Sequence, residues 1–529
     1  MKTKTYVILF CLLGALLSAT LAHAQFLWSE RVATTTTLPG FEVEIGLALD
    51  TYDNCYVTGW FDNTNDFGGV ILTNQSGAGG SDIFVAKYNS AGALQWVQRA
   101  GGTAGNQNTG NSIGLDANRN VYVTGCVYGS ASFGNINLPA SGVKGIFLAK
   151  YNSAGMVQWV RYSYGVYDDL YGTGLAVDGA GNSYALAYVG SGNSGAILTI
   201  GSVNVTIPNN QSGCMLLIKY DNTGTVQWVQ LLGTAGEVWS TKDAVDAAGN
   251  VYVRGIFEQN MTIGNTNLAV SPASATQNGF IAKFNSSGSL IWVQQLGGEN
   301  VSEGAVVVDP GGNVFIDGAF TTNLNLGGGI ILTNLAGANA PFGDAFVAKY
   351  NNSDVIQWAR SAGGTNGGVY WDIALDDQTN VYPAGFLGSQ AAIAKYSSSG
   401  TLQWTYSANN SPASPVGSLV GQCAVDSAGH CYLDGWYQVS TSFGTNTLQP
   451  QEAWNFFLTE VALNLAIVPS GSNVIVTWPT NAVGYTLQST TNLSSAVWTT
   501  NASTPIVVNG QDTVTNLISG PQMFYRLAQ

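Results

Sequence analysis

The sequence predicts an all-β protein, a seven-bladed β-propeller closed by its own N-terminal strand and followed by a small β-sandwich. Three observations lead to this prediction: a repeated unit, four strand-like segments in each copy, and a strand that the last copy lacks but the N-terminus supplies. The chain has 529 residues, of which 45% are hydrophobic and 9% charged. It is too large for one ordinary core and too regular for a disordered protein.

The repeated unit has the form A-x-D-x-x-G-N-x-Y-x-x-G, as in LAVDGAGNSYALA and AVDAAGNVYVRG. Successive aspartates of the unit are 66, 62, 68, 63, 67 and 50 residues apart, so the sixth unit is short. A fixed period of this length indicates a repeat architecture. The aspartates are Asp50, Asp116, Asp178, Asp246, Asp309, Asp376 and Asp426.

Each unit predicts four strands, named a to d. Strand a is the apolar run before the aspartate, strand b resembles NVYVTG, strand c resembles FVAKYN, and strand d is centred on a tryptophan. The seventh unit ends at NFFLTEV without a tryptophan strand, whereas the N-terminal FLWSERV contains Trp28. We therefore expect residues 26–31 to form strand d of unit seven, which closes the ring and removes a free sheet edge.

The D-x-x-G-N-x-Y-x-x-G motif, followed by F-V-A-K-Y-N and a tryptophan strand, resembles the bacterial β-propeller repeats known as SBBP. The resemblance covers the predicted propeller, residues 25–462. The motif is also similar to NHL repeats, but their Arg-Ile pattern after strand b is missing. The SBBP resemblance implies a propeller fold and an exported protein, and it supplies no catalytic residues.

After residue 462 the period stops and short alternating strands follow. Residues 463–529 predict a small sandwich, which resembles the fibronectin-III-like tails of exported bacterial proteins. Its expected core aromatics are Trp478, Tyr485, Trp498 and Tyr525.

Residues 1–24 have the pattern of a secretory signal peptide: Lys2 and Lys4, an apolar run, then Ala22-His23-Ala24. We expect a secreted or cell-surface protein, with no membrane span, because no later stretch approaches about 18 apolar residues. The chain after the signal has 15 basic and 31 acidic residues, which disfavours binding to nucleic acid.

Cleavage would leave His430 as the one histidine, which disfavours a histidine-rich zinc site and Ser-His-Asp catalysis. No metal or cofactor is predicted, because each D-x-x-G-N turn offers one carboxylate whereas calcium takes six or more oxygens. We expect these aspartates to cap their turns. Five scattered cysteines remain, and buried free thiols are favoured over a Cys423–Cys431 bridge.

Two further sets of residues repeat. Each strand-c lysine is expected to support its own blade, either by pairing with a nearby carboxylate or by extending along the sheet with its charge in water. Glu460 replaces the lysine in unit seven, and a basic binding ring is the alternative. The strand-d tryptophans are expected to pack between blades. The lysines are Lys87, Lys150, Lys219, Lys283, Lys349 and Lys395, and the tryptophans are Trp96, Trp159, Trp228, Trp292, Trp358 and Trp404.

The a–b and c–d turns are short and alike, whereas the d–a and b–c loops differ among units, so function is expected on the loop face. Aromatic rings beside carboxylates in three d–a loops suit the binding of sugars. Packing of loop on loop is the alternative. The candidate residues are Tyr162, Tyr164, Tyr167, Asp168, Asp169, Glu237, Trp239, Tyr370, Trp371 and Asp372.

The preferred function is therefore that of a monomeric, non-enzymatic binding or scaffold protein that recognises an extracellular glycan or protein. The alternative is a glycoside hydrolase or polysaccharide lyase that uses Asp168, Asp169, Glu237 or Asp372. Seven arginines in the whole chain, four of them on strand d, disfavour a sialidase-like cluster. A quinone-cofactor dehydrogenase is disfavoured because its tryptophan-docking pattern is missing.

Overall fold

The computed structural model describes the backbone of residues 25–35 and most of residues 46–528. The positions inside the second range that lie outside the description are 78, 103–106, 140–142, 166–169, 191–192, 194, 210–212, 234–237, 271–276, 299, 337–342, 389, 412–417, 428, 444–445, 451–453, 463–465, 471–472, 480–485, 492–496, 502, 509–510 and 518–522.

The described chain is all-β, and each sequence repeat corresponds to one four-stranded antiparallel sheet with its strands in the order a, b, c, d. Sheet 1 contains Gly46–Leu49, Cys55–Phe61, Asp82–Tyr88 and Leu94–Gly102; sheet 2 contains Thr109–Leu115, Val121–Tyr128, Lys144–Tyr151 and Val157–Tyr164; sheet 3 contains Leu170–Val177, Ser183–Gly190, Gly213–Tyr220 and Val226–Leu232. Sheet 4 contains Val238–Val245, Val251–Phe257, Asn278–Phe284 and Leu290–Leu296; sheet 5 contains Val306–Val308, Val314–Phe320, Asp344–Tyr350 and Ile356–Ala362; sheet 6 contains Gly368–Leu375, Val381–Leu387, Gln390–Tyr396 and Leu402–Ser407.

Sheet 7 takes its strands from both ends of the repeat region. Strands a to c are Ser418–Val425, Cys431–Tyr437 and Trp454–Ala462, and the fourth strand is Gln25–Thr35. The N-terminal strand runs antiparallel to strand c, with Gln25 opposite Ala462 and Thr35 opposite Trp454. It occupies the place that strand d has in the other sheets.

A small hairpin lies between strands b and c of every sheet except sheet 6, where residues 388–389 alone join the two strands. This explains why the sixth sequence unit is short. The hairpin of one sheet lies against strand d of the sheet before it, as Ala131–Phe133 pairs with residues 100–102. The hairpins pair Thr64–Asp66 with Ile71–Thr73, Ala131–Phe133 with Ile136–Leu138, Ile197–Ile200 with Val203–Thr206, Met261–Ile263 with Thr266–Leu268, Asn323–Asn325 with Ile331–Thr333, and Ser440–Phe443 with Asn446–Leu448. Asn409–Ser411 adds a strand to the last of these hairpins.

The strands a of neighbouring sheets lie side by side and form the inner ends of the sheets. An edge strand leaves backbone N–H and C=O groups without a ladder partner, and side chains of the adjacent strand a satisfy several of them. These hydrogen bonds run from Asn111 Nδ2 to Gly172 O (2.8 Å), Ala176 N to Asp243 Oδ2 (3.2 Å), Cys423 N to Asp372 Oδ2 (2.8 Å) and Leu47 N to Gln422 Oε1 (3.0 Å).

The strand-d tryptophans pack against the next sheet. Trp228 Nε1 donates a hydrogen bond to Ser286 O, 3.1 Å away in the c–d turn of sheet 4. A Cβ on Gly288 of that turn would lie 2.9 Å from the Trp228 ring, so the position requires glycine for the close approach as well as for its φ of 85°. Trp96 and Trp358 make the same contacts, which confirms the packing role predicted for these residues.

The repeated aspartates cap their a–b turns as predicted. Asp116 Oδ1 accepts hydrogen bonds from the backbone N–H groups of Asn118 and Asn120, both at 2.9 Å. Its Oδ2 accepts from Asn120 Nδ2 at 2.7 Å and from the Tyr122 hydroxyl at 3.2 Å. Lys150 Nζ lies 3.7 Å from the same oxygen and 4.8 Å from the Tyr122 ring centroid. Lys87 and Lys395 pair with their aspartates in the same way.

Replacing Asp116 with alanine should lower the free energy of unfolding by about 2 kcal/mol, because the turn loses the several hydrogen bonds that this buried carboxylate accepts. Urea unfolding of the full chain measures the change. The matched control is Asn118→Ala, which removes an exposed side chain from the same turn and should change stability by less than about 0.5 kcal/mol. Equal effects of the two substitutions would contradict the capping role.

The five cysteines of the described chain are free and buried, which confirms the prediction of unpaired thiols. Burial raises the pKa of the Cys214 thiol to about 12. The described residues include a short 3-10 helix, Gly364–Asn366, and no helix with the length and hydrophobicity needed to cross a bilayer.

The residues after 462 form two further sheets. The first has the strand order Ala466–Ser470, Asn473–Pro479, Gln511–Leu517, Ile506–Val508, and the second has the order Thr499–Thr500, Thr486–Thr490, Phe524–Ala528. Trp478 and Tyr525 are buried in a shared cluster with Leu487, as the sequence predicted. Trp498 is partly exposed and Tyr485 lies outside the described residues.

Candidate functional site

The structure separates the predicted site residues into two groups. Tyr162 and Tyr164 lie at the end of strand d of sheet 2, at the outer side, with their ring centroids 5.6 Å apart. The remaining described residues lie on inner strands, Trp239 on strand a of sheet 4 and 370–372 on strand a of sheet 6. Strand d, with the first group, and strand a, with the second, are separated by the width of a four-stranded sheet, which is about 14 Å. Tyr167, Asp168, Asp169 and Glu237 lie outside the described residues.

The expectation that Tyr162 and Tyr164 lie in a d–a loop is wrong. Residues up to Tyr164 continue strand d, and Leu170 already begins strand a of sheet 3. The loop prediction failed because tyrosine, which is frequent in this segment, is itself enriched in strands. Tyr162 and Tyr164 therefore lie on an outer strand, whereas Trp239 and Asp372 lie on inner strands.

A β-bulge in strand a of sheet 6 determines which of residues 370–372 are buried and which is partly exposed. The pairing register of strand a shifts between Tyr370 and Asp372, which leaves Trp371 as the extra residue. Tyr370 is fully buried in the packing between sheets 5 and 6, so it stabilises the fold and presents no surface to a ligand. Trp371 is half-buried, beside the core of sheets 1 and 7.

Trp239 belongs to an aromatic cluster at the loop end of the inner strands, formed by Tyr171, Tyr188 and Trp239. The Trp239 and Tyr188 rings are stacked, with centroids 4.0 Å apart and planes 6° from parallel. The Tyr171 ring lies 5.2 Å from Tyr188, and Lys144 Nζ lies 5.5 Å from the Tyr171 centroid. Tyr171 and Trp239 are partly exposed, so this cluster is both rigid and accessible.

An ion pair lies deeper in the centre of the molecule. Lys242 Nζ lies 3.4 Å from Asp372 Oδ1, which joins the inner strands of sheets 4 and 6 across sheet 5. Sheet 5 has Gly304 and Ala305 at the matching positions, and their small size leaves space for the lysine. Asp372 Oδ2 accepts the Cys423 N–H, so both of its carboxylate oxygens are engaged. Lys242 is three residues beyond Trp239, about 10 Å further from the loop face.

Two buried carboxyl groups next to this ion pair were not singled out from the sequence. Asp317 of sheet 5 and Asp434 of sheet 7 occupy the same repeat position, before the glycine of strand b, and are 0% and 1% exposed. Asp317 Oδ1 accepts the Ala305 N–H at 2.6 Å, and Asp434 Oδ1 accepts the Gln422 N–H at 3.0 Å. The only sequence signal is an aspartate where the other units have Thr, Leu, Arg or Ala.

The ionisation of Asp317 and Asp434 is coupled to the charges of Asp372 and Lys242. Burial raises the pKa of Asp317 and of Asp434 well above the usual range, and Asp372 raises both further while Lys242 opposes the shift. Burial also raises the pKa of Asp372. Raised pKa values keep carboxyl groups protonated, which suits hydrogen-bond donation and acid catalysis. The described residues contain no group of three His, Cys, Asp or Glu side chains arranged to hold one metal ion.

The a–b turn of unit seven has charged residues at positions that differ from those of the other units. His430 stands where other units have asparagine, and its Nδ1 lies 2.9 Å from Asp426 Oδ2 and 3.3 Å from Glu460 Oε1. The Tyr432 hydroxyl also donates to Glu460 Oε1, at 3.3 Å. The hydrogen bond to Asp426 raises the pKa of His430 above 6.5. In unit seven the basic residue is therefore His430 of the turn, and Glu460 occupies the strand-c position that is lysine in the other six units.

We expect the stability of sheet 7 to fall as the pH rises through the raised pKa of His430. The charged imidazole is bound in the folded state, so its contribution is complete below the unfolded pKa of 6.5 and is lost above the folded pKa. Melting temperatures across this range measure the effect. The double variant His430→Asn with Glu460→Lys restores the residues of the other units and should flatten the profile. An unchanged profile would contradict the role of His430.

No protein-family model matches the chain. A curated relative, an uncharacterized WD repeat-containing protein of Acanthamoeba polyphaga mimivirus, is 25% identical over 273 residues, which are 44% of this chain and 19% of the relative. This relative and the repeated four-stranded sheets together indicate the β-propeller repeat class. The chain spans about a fifth of the length of the relative.

Several solved structures are similar at low scores. A polysaccharide lyase, ulvan lyase, has a TM-score of 0.33 and 11% identity, with 84% of this chain and 93% of the lyase covered. A protein from Lactobacillus plantarum has a TM-score of 0.31 and 13% identity, with 77% of this chain and 99% of that protein covered. A gluconolactonase from Xanthomonas campestris has a TM-score of 0.28 and 9% identity, with 84% of this chain and 98% of the gluconolactonase covered. At these scores the likenesses carry no argument about function.

Proposed function

We propose that this protein is an exported, non-enzymatic β-propeller with seven blades that binds a carbohydrate on its loop face. The seven-bladed, closed form is supported by the pairing of residues 25–35 with the last sheet. It is also supported by contacts between sheets 7 and 1, including the Leu47 to Gln422 hydrogen bond and a shared core with Phe84 and Leu458. Residues 25–462 would be the propeller and 463–529 an attachment module.

The observation that carries the binding proposal is the partly exposed cluster of Tyr171, Tyr188 and Trp239 above the Lys242–Asp372 ion pair. Aromatic rings pack against the apolar faces of sugars, while charged groups nearby orient hydroxyl groups. The rings are fixed against one another before a ligand arrives, so binding costs little side-chain entropy.

Export is proposed from the signal-peptide pattern of residues 1–24. The free thiols do not oppose it, because they are buried and scattered rather than arranged as a disulfide framework. The protein would meet its ligand outside the cytoplasm, either free or attached at the cell surface.

A second candidate function, glycoside hydrolysis, is favoured by one observation. Asp317 and Asp434 are carboxyl groups with raised pKa values, and such a group can act as a general acid when an ionised carboxylate lies roughly 5–10 Å away. Binding is preferred, because both oxygens of Asp372 are engaged and the two other carboxyl groups are buried.

We expect Trp239→Ala to weaken glycan binding by about 1–3 kcal/mol, using base–aromatic stacking as the scale. A glycan array would find the ligand, and calorimetric titration of the full chain would measure the affinity. Tyr164→Ala removes a 53% exposed ring from the outer strand and should leave the affinity unchanged. Trp239→Phe should recover part of the loss, which separates stacking from misfolding.

Hydrolysis assays on the glycans that bind decide between the two candidates. Binding without turnover supports the binding protein. Turnover that is lost in Asp434→Asn, with binding intact, would support the enzyme. If Trp239→Ala binds the identified glycan as tightly as the native chain, the proposed location of the site is wrong.

A further inference from the structure

A groove of about 650 Å³ lies on the outer side of the molecule, between sheets 5 and 6. Strand d of sheet 5 and the c–d turn of sheet 6 form most of its walls. Two cations line it, and none of the described lining residues has a carboxylate. The principal lining residues are Lys349, Gln357, Trp358, Arg360, Ser398 and Ser399. In a chain with a net charge of −14, this is a local site of positive charge.

Two other strand-d arginines use their donors inside the protein. Arg161 of sheet 2 occupies the position of Arg360, two residues after the tryptophan, whereas Arg99 of sheet 1 lies three residues after Trp96, on the other face of its strand. Arg99 Nη1 lies 2.6 Å from Asp82 Oδ2 in a salt bridge. Arg161 donates to Thr223 O at 2.5 Å and to Gly224 O at 2.9 Å, both in the facing turn of sheet 3. These two guanidinium groups hold the structure together.

Arg360 is placed differently. It is exposed and lies 5.8 Å from the centroid of Trp358, and its described hydrogen bond goes to the neighbouring Ala359 carbonyl oxygen at 2.7 Å. The turn that faces it begins with Ser397, where the turn facing Arg161 begins with Asp221. Arg161 lies close enough to Asp221 to lower the pKa of that carboxyl group, whereas Ser397 offers Arg360 no negative charge.

Lys349 has no carboxylate contact among the described ion pairs, which it shares with Lys219 and Lys283. The other three strand-c lysines differ. Lys87, Lys150 and Lys395 each lie 3.7 Å from the aspartate of their own unit, beside a tyrosine whose hydroxyl bonds to that aspartate. In unit five the ring is Phe315, and Lys349 Nζ donates to Ser398 O at 3.4 Å, as Lys150 Nζ donates to the equivalent Asn222 O at 3.3 Å. Within the described chain, neither Lys349 nor Arg360 has a carboxylate oxygen within the 4.0 Å of an ion pair.

We propose that this groove binds an acidic saccharide through its carboxylate or sulfate group. The guanidinium fork of Arg360 matches an oxyanion, and Lys349 adds a second positive charge. The groove is much larger than one ion, and its hydroxyl and amide side chains suit a ligand rich in hydroxyl groups. This site lies on the outer surface and is independent of the loop-face cluster.

Calorimetric titration of the full chain with tetragalacturonate, its methyl ester and inorganic sulfate tests the proposal. We expect tetragalacturonate to bind, and the uncharged ester to bind at least about tenfold more weakly. Arg360→Gln should lower the affinity for tetragalacturonate by about tenfold while leaving the melting temperature unchanged, because the side chain is exposed. Added salt should weaken binding.

Two variants act as controls. Arg161→Gln removes an arginine from the equivalent position in sheet 2 and should lower stability without changing the affinity. Trp239→Ala should also leave this affinity unchanged, which separates the groove from the loop-face site. Equal losses in Arg360→Gln and Arg161→Gln, or no binding of tetragalacturonate, would overturn the proposal. Sulfate binding as tight as that of tetragalacturonate would show an ion site and overturn the saccharide assignment.

Discussion

Deleting residues 25–35 should destabilise the protein severely, with a large drop in melting temperature or aggregation on expression. The deletion removes nine paired positions from sheet 7 and leaves strand Trp454–Ala462 as a free edge. Each lost hydrogen bond costs about 1 kcal/mol net, so the loss is a large part of the roughly 5–15 kcal/mol that stabilises a typical domain. Exposed edges also pair with other chains, which explains the expected aggregation.

A chain that begins at Gln25 is the matched control, because it lacks residues 1–24 and keeps the strand. It should melt as the complete chain does. Adding a synthetic peptide of residues 25–35 to the shortened protein should restore part of the melting temperature, and a scrambled peptide should not. The proposal of a ring closed by the N-terminus fails if the shortened chain is as stable as the control.

Lys242→Met should lower the free energy of unfolding by about 3–5 kcal/mol near neutral pH, since it leaves the buried Asp372 carboxylate without its cation. Asp317 and Asp434 lie close enough for their pKa values to respond to the same lysine. Removing Lys242 therefore raises the cost of ionising all three carboxyl groups. Urea unfolding at a series of pH values measures this.

The loss of stability in Lys242→Met should increase with pH. Burial raises the folded pKa of Asp372, so protonation favours the folded state, and the cost of Lys242→Met should grow as the pH rises through that pKa. Adding Asp372→Asn to the Lys242→Met chain removes the charge and keeps an acceptor for the Cys423 N–H, so it should recover most of the stability. A cost that is independent of pH would refute the electrostatic explanation.

Much of the fold was predictable because it depends on local and repeated patterns. The aspartate turn uses groups within six residues of one another, such as Asp116, Asn120 and Tyr122, so its hydrogen bonds follow from local sequence. The four strands of each unit were predictable from alternating hydrophobicity, and the assignment of residues 26–31 to unit seven followed from counting tryptophans. The hairpins between strands b and c were missed, because their sequences differ from unit to unit.

The candidate site was predictable only in part. Trp239 and Asp372 were identified from composition, but their neighbours come from other sheets, so no spacing in the sequence indicates them. Lys242 contacts Asp372 across 130 residues, and sheet 5 leaves space for this contact because Gly304 and Ala305, just before its strand a, are small. Tyr162 and Tyr164 were grouped with Trp239 because they lie near inner-strand residues in sequence, whereas the sheet carries them to its outer side.

The sequence by itself determined the repeat, its strands, the capped turns and the free thiols, because each depends on interactions between near neighbours or on residue type. Only the tertiary structure decided which side chains lie together at the centre and along the outer groove. Asp317 and Asp434 look like ordinary turn or strand residues until three sheets bring them to Lys242. Arg161 and Arg360 are equivalent in sequence, and only the facing turn determines whether the guanidinium group is used within the fold or left for a ligand.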